Sequence, residues 1–184
     1  MRSHRVANIL AAVAVLAMVG GCSNHTADDE APVFLTTDMR QGIVDIDVSV
    51  PVDVAIPELS IQSHLKGQDQ SPTSQQDVYL NEWVVTCTRT DGGTVTSPVW
   101  HNFLPVYVPA GGAANLQNFR IFPSDYFIQP PLNQLFPENG GHDTETGKRT
   151  IRQHLRVEIF GKTMAGRRVS AVLDINLNFF YVTQ

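Results

Sequence analysis

Apolar and polar residues alternate along most of this chain and almost nowhere recur at helical spacing. The alternation is cleanest near the C-terminal end. In TIRQHLRVEIFG, Leu155, Val157 and Ile159 face one way. In RVSAVLDINLNFFYV, Val169, Ala171, Leu173, Ile175, Leu177 and Phe179 share one face, opposite Ser170, Asp174, Asn176 and Asn178. A period of two is the mark of a half-buried strand. KTMAGRR supplies a turn around Gly166, so this end reads as a long hairpin.

The same period runs through GIVDIDVSVPVDVAIPELSIQ, where Ile43, Asp45, Asp47 and Ser49 alternate with Val44, Ile46, Val48 and Val50. Pro51 and Pro57 have no N–H to give a ladder, which confines the strand to an edge, a bend or a break. Leu59, Ile61, Ser63 and Leu65 continue on one side. Residues 66–77 are a polar loop. In VYLNEWVVTCTRT, Trp83, Val85 and Cys87 share a side. DGGT then predicts a tight turn, with TVTSPVW running back as a hairpin. FLPVYVP reads as a short strand broken by Pro105, and LQNFRIF as another. Residues 123–150 differ: they are rich in proline, glycine and aromatics, and form a connection long enough to be a binding loop or a packed Ω-loop.

Roughly eight strands with no βαβ rhythm predict an all-β fold. The expected form is an antiparallel β-sandwich of immunoglobulin or fibronectin type, with an eight-stranded β-barrel as the alternative. The Cys-Trp-Cys framework of true immunoglobulin domains is absent from the sequence.

The first residues do not belong to that fold. Arg2, His4 and Arg5 make a positive start, and 9–19 is an uncharged apolar run of eleven residues. A membrane-spanning helix needs roughly twenty, so this run has the length of a signal peptide. It ends in Val19-Gly20-Gly21-Cys22, which resembles the lipobox of bacterial lipoproteins: an aliphatic residue, two small residues, then cysteine. The resemblance implies a signal peptide over 1–21, cleaved before Cys22, and diacylglycerol on the Cys22 sulfur. A single acyl chain anchors only marginally, at about 0.8 kcal/mol per buried CH₂, whereas two or more hold firmly. The resemblance therefore implies lasting attachment to the bacterial cell envelope. With Ser23 in place of an aspartate, the family's sorting rule implies the outer membrane, facing the periplasm, in a Gram-negative cell. Residues 22–32 are polar and acidic enough to be a flexible tether. Residues 33–184 are then a single domain, large enough to fold around one core.

Charge and cysteine usage narrow the picture further. Removing residues 1–21 takes Arg2 and Arg5 with it and moves the formal charge from −5 to −7. Residues 28–91 hold twelve acids against three bases, which argues against nucleic acid as a partner. Lys148, Arg149, Arg152 and Arg156 form the one local basic cluster, either a solvated face or a patch for an anionic partner. With Cys22 lipidated, Cys87 has no partner and reads as a small core side chain.

No motif of a known enzyme class appears: GxSxG, SxxK, HExxH, P-loop and GxGxxG are all missing. The loop PENGGHDTETGKR gathers oxygen ligands, with Glu138, Asp143 and Glu145 as the set that could take calcium. The spacing misses the EF-hand pattern, and DTETG is also a natural turn with Asp143 or Thr144 capping backbone N–H groups. Otherwise the sequence names no cofactor. Tyr126 and Phe127, in the proline-rich loop, are the candidate partner contacts.

These features together predict a lipid-anchored binding or scaffolding module rather than an enzyme. Its partners would be the membrane, through the anchor, and an envelope protein or a glycan. The alternatives are an envelope hydrolase built from His101, His142, Asp143 and Glu145, and a small-ligand carrier if the strands close around a cavity.

Overall fold

A computed structural model of the chain describes residues 31–39, 45–67 and 71–182. Eight strands follow in order: β1 (Val33–Met39), β2 (Asp45–Asp47), β3 (Val54–Leu65), β4 (Val78–Arg89), β5 (Trp100–Val108), β6 (Ala113–Phe122), β7 (Thr150–Thr163) and β8 (Arg168–Phe180). They form two sheets, β1-β3-β6 and β2-β8-β7-β4-β5. The fold is all-β, with the sheets packed over a shared core.

The alternation does what its period requires. β7 and β8 pair antiparallel from Thr150↔Phe180 to Lys162↔Arg168, around a turn at Gly166. Ile151, Leu155, Val157 and Ile159 on β7, and Ala171 through Phe179 at every second position on β8, point into the core. β4 adds Trp83, Val85 and Cys87; the facing sheet adds Ile56, Leu59, Ile61, Phe119 and Ile121. Each large apolar side chain removed from water contributes about 1.5–3 kcal/mol, so this two-sided layer is the main stabilising term.

Three local expectations are corrected. The stretch 43–50 does not make a long strand: among the described residues only Asp45–Asp47 is extended, pairing parallel to β8 rather than antiparallel, and the chain turns at Val48 and Ser49. DGGT does not close a tight hairpin. Residues 90–99 form a ten-residue connection before β5, held down by Gln153, whose side chain bonds both the Ser97 hydroxyl (2.9 Å) and the Ser97 N–H (3.3 Å). Pro105 does not break β5. It sits on a sheet edge, at a bulge where Phe103 to Val106 oppose Glu82 to Leu80, so its missing N–H interrupts no ladder. Pro57 lies inside the central strand β3, opposite Asn118, at a bend, one of the positions expected of it.

That last pairing shapes the three-stranded sheet. Asn118 has φ 51°, the left-handed region that asparagine tolerates better than most residues. Above and below this level both strands change phase. On β3, residues 54 and 56 face in, then 59, 61 and 63; on β6, 114 and 116 do so, then 119 and 121. The slip leaves Gln117 and Asn118 outward in succession.

The two sheets meet differently at their two sides. On one, β1 approaches β8 and the Thr37 hydroxyl donates to the Val172 carbonyl at 3.0 Å. On the other, the edge strands β5 and β6 lie side by side, and among the described residues no ladder joins them. The chain crosses between sheets there, at 109–112. Asp77 pins the crossing by accepting from the Tyr107 hydroxyl (2.7 Å) and the Ala110 N–H (2.9 Å). The barrel is therefore not closed.

Candidate functional site

The loop that carries the candidate calcium ligands is tied to the end of β4 by one arginine. The guanidinium of Arg89 donates to Asp91 through Nε (2.7 Å) and Nη2 (2.9 Å), and Nη2 also donates to Asp143 Oδ2 (2.7 Å). All three side chains are almost wholly buried, and Glu145 lies 3.6 Å from Nη1. Glu145 also accepts from the Thr94 hydroxyl and from the N–H groups of Thr94 (2.8 Å) and Val95 (3.0 Å). Gly93 is required by this packing, because a Cβ there would fall 2.6 Å from Arg89 Nη1.

The electrostatics follow from that geometry. Burial pushes the Asp91 carboxyl up, but the Arg89 hydrogen bonds, the N–H groups of Arg152 and Gly93 and the guanidinium charge outweigh it. They bring its pKa down to about 2. Asp143 is lowered in the same way: burial opposes, while the Thr146 hydroxyl and Arg89 prevail. Asp143 Oδ2 accepts from Thr146 N (3.2 Å) and Thr146 Oγ1 (2.6 Å), the turn cap that DTETG suggested. Asp143 and Glu145 thus face a guanidinium rather than one another across an ion site, and Glu138 lies apart in an exposed turn. Among the described residues no group of three or more His, Cys, Asp or Glu is arranged to hold a metal. This cluster is a buried lock between two loops.

The residues named for a hydrolase do not come together. His101 sits on β5 opposite Val84, 3.5 Å from Glu82. Arg89, and with it Asp143, lies five residues further along β4, roughly 17 Å at the rise of a strand. His142 bonds its own loop, Nδ1 to the Gly140 carbonyl at 2.7 Å. Of the two candidate contacts, Phe127 is corrected. It is 2% exposed and packs with Phe122 and Phe179 in the core, because the 123–149 loop folds this ring inward with Leu132 and Leu135 while leaving Ile128 exposed. Tyr126 is half-buried against Phe122. Cys87 is a buried free thiol, pushed up to about 12 by burial, and no nucleophile at neutral pH. In the basic cluster, Lys148 Nζ donates to the Asp91 carbonyl (3.1 Å) and Arg156 pairs with Glu158 (3.5 Å). Cys22 lies outside the described residues.

The described residues also form an open cleft that the sequence did not disclose. The open seam between β5 and β6 forms a cleft of about 490 Å³. Trp83 and Phe119 line its inner part, their ring centroids 4.7 Å apart. Asn102, Phe103 and Leu104 come from β5; Asn115, Gln117, Asn118 and Arg120 come from β6. Phe103 is 67% exposed, unusual for a ring of that size. Trp100 stands edge-on to Trp83, and the Arg120 guanidinium lies 5.0 Å from the Trp100 ring centroid. Arg120 also donates to Asp53 Oδ2 at 2.8 Å, which balances its charge. The indole N–H of Trp83 is buried without a hydrogen-bond acceptor. Volume, exposed ring and convergent polar groups fit the usual make-up of a small-ligand site, roughly 300–1,000 Å³ with a few placed polar groups.

No protein-family model matches the chain, and no curated protein matches it.

Proposed function

We propose that this chain is a lipid-anchored binding module of the bacterial cell envelope. Cys22 carries the anchor, the chain from 22 to 30 is the tether, and the β-domain, which already includes core residue Ala31 and Pro32 bonded to Lys66, binds rather than catalyses. The observation that carries the binding reading is the β5–β6 cleft, lined by an exposed phenylalanine, a tryptophan and four neutral side-chain amides. The reading is further supported by the fate of the ionisable groups: Asp91, Asp143 and Glu145 are engaged by one arginine, and His101 is remote from them. The lipobox pattern supports the anchor.

Two experiments test this reading. Labelled palmitate should enter the wild-type protein and not Cys22→Ser, which should leave the membrane fraction. Equal incorporation in the two would refute the anchor. A photo-crosslinking amino acid placed at Gln117, on the cleft wall, should give mass-shifted adducts in intact cells. The same group at Ser170, on the opposite face of the five-stranded sheet, should give none. Absence of adducts at Gln117, or equal adducts at both positions, would refute the cleft as the binding site.

A further inference from the structure

We infer that the ligand of this cleft is a neutral oligosaccharide chain; the inference rests on the cleft being the binding site. Three features of the walls select that chemistry. The first is the nature of the polar groups. Asn102, Asn115, Gln117 and Asn118 each offer a side-chain donor and acceptor together. A sugar hydroxyl likewise donates and accepts, so neighbouring hydroxyls match amides pair by pair. The side-chain amides of Asn115, Gln117 and Asn118 make no hydrogen bond to any described residue, and the left-handed turn at Asn118 sets two of them side by side.

The second feature is charge. No carboxylate lines the cleft, and its one cation, Arg120, is already balanced by Asp53 at 2.8 Å. A strongly charged ligand would meet no free counter-charge. The third is the apolar surface. Phe103 and Leu104 are exposed on the β5 wall, and Trp83, Leu116 and Phe119 also line the cleft, apolar surface suited to the C–H face of a pyranose ring.

The competing occupant is an extended peptide added to a sheet edge. That mode needs an unbroken row of backbone N–H and C=O groups. Neither wall offers one: β5 is interrupted by its bulge and Pro105, and β6 by the left-handed Asn118. Recognition here falls to side chains.

The chain has only two tryptophans; Trp83 lines the cleft and Trp100 packs edge-on against it, so the intrinsic fluorescence reports on this site. The full-length protein in detergent would be titrated with chitotetraose, cellotetraose and maltotetraose. At least one should shift the tryptophan emission saturably. Phe103→Ala and Gln117→Ala, both at exposed positions, should each weaken that binding tenfold or more while leaving the unfolding midpoint in urea unchanged. No response to any of the three sugars, or a response undiminished in both variants, would overturn the inference. Adducts at Gln117 without sugar binding would overturn the ligand class and leave the cleft standing; loss of both would remove the cleft itself.

Discussion

Replacing Arg89 with methionine isolates the energy of the lock between the 90–99 and 137–149 loops. In the wild-type protein, holding Asp91 from 3.8 down to about 2 corresponds to about 2 kcal/mol of stability at neutral pH. The folded-state pKa lies below the unfolded one, so this contribution is complete above about pH 5 and is lost as pH falls toward 2. Arg89→Met keeps much of the volume but leaves Asp91 and Asp143 buried with no guanidinium. Breaking a buried ion pair from one side costs about 3–5 kcal/mol. In the variant burial acts on both carboxyls without its main opponent, so their pKa values rise. The penalty then shrinks as pH falls and they take up protons. Asp143→Asn should cost less, about 1.5–3 kcal/mol, because Arg89 keeps both bonds to Asp91. Urea unfolding of both variants in the Cys22→Ser background, followed by tryptophan emission at pH 4 and pH 7, provides the test. A loss below about 1 kcal/mol for Arg89→Met at pH 7, or one identical at the two pH values, would refute this account.

Three further outcomes are expected. Phe127→Ala should destabilise by about 3–5 kcal/mol in the same assay, and Tyr126→Ala by clearly less, since only the first ring is fully buried. Gly161→Ala should destabilise by more than about 1 kcal/mol, because a Cβ there would lie 2.8 Å from Leu80 Cα at the β4 bulge and backbone cannot yield cheaply. Cys87 should resist iodoacetamide at pH 8 in the folded protein and react in urea, measured as mass increase; rapid native labelling would contradict its burial and raised pKa.

Where local pattern and tertiary environment agree, the structure was readable in advance. β7 and β8 are the clearest case, since every second residue needed a core and one was there. The Asp91-Gly92-Gly93-Thr94 stretch was misleading for a physical reason. Its turn chemistry is real, but the neighbouring Arg89, together with Gln153 and Glu145 from 50 or more residues away, holds the segment and keeps it from closing a hairpin. Phe127 looked like a loop aromatic free to meet a partner, yet the core had a place for it beside Phe122 and Phe179. Asp143 and Glu145 did mark a charged cluster, and the missing member was its cation, Arg89, on a distant strand. The cleft left no local trace at all. Asn115, Gln117 and Asn118 are indistinguishable in sequence from an ordinary wet strand face, and only the juxtaposition of β5 and β6 gives them a common object.

The order β1-β3-β6 also has a mechanical meaning. The chain enters the domain at β1, and β6 is one wall of the cleft. A pull applied through residue 31 against a ligand held in the cleft would cross the three strands in turn. It would pass through the seven residue pairs of β1 with β3, then the ladder of β3 with β6. On the proposed anchor and cleft ligand, the smaller sheet would be the load path, and the Pro57–Asn118 kink, where both strands change phase, the step in that path nearest the cleft.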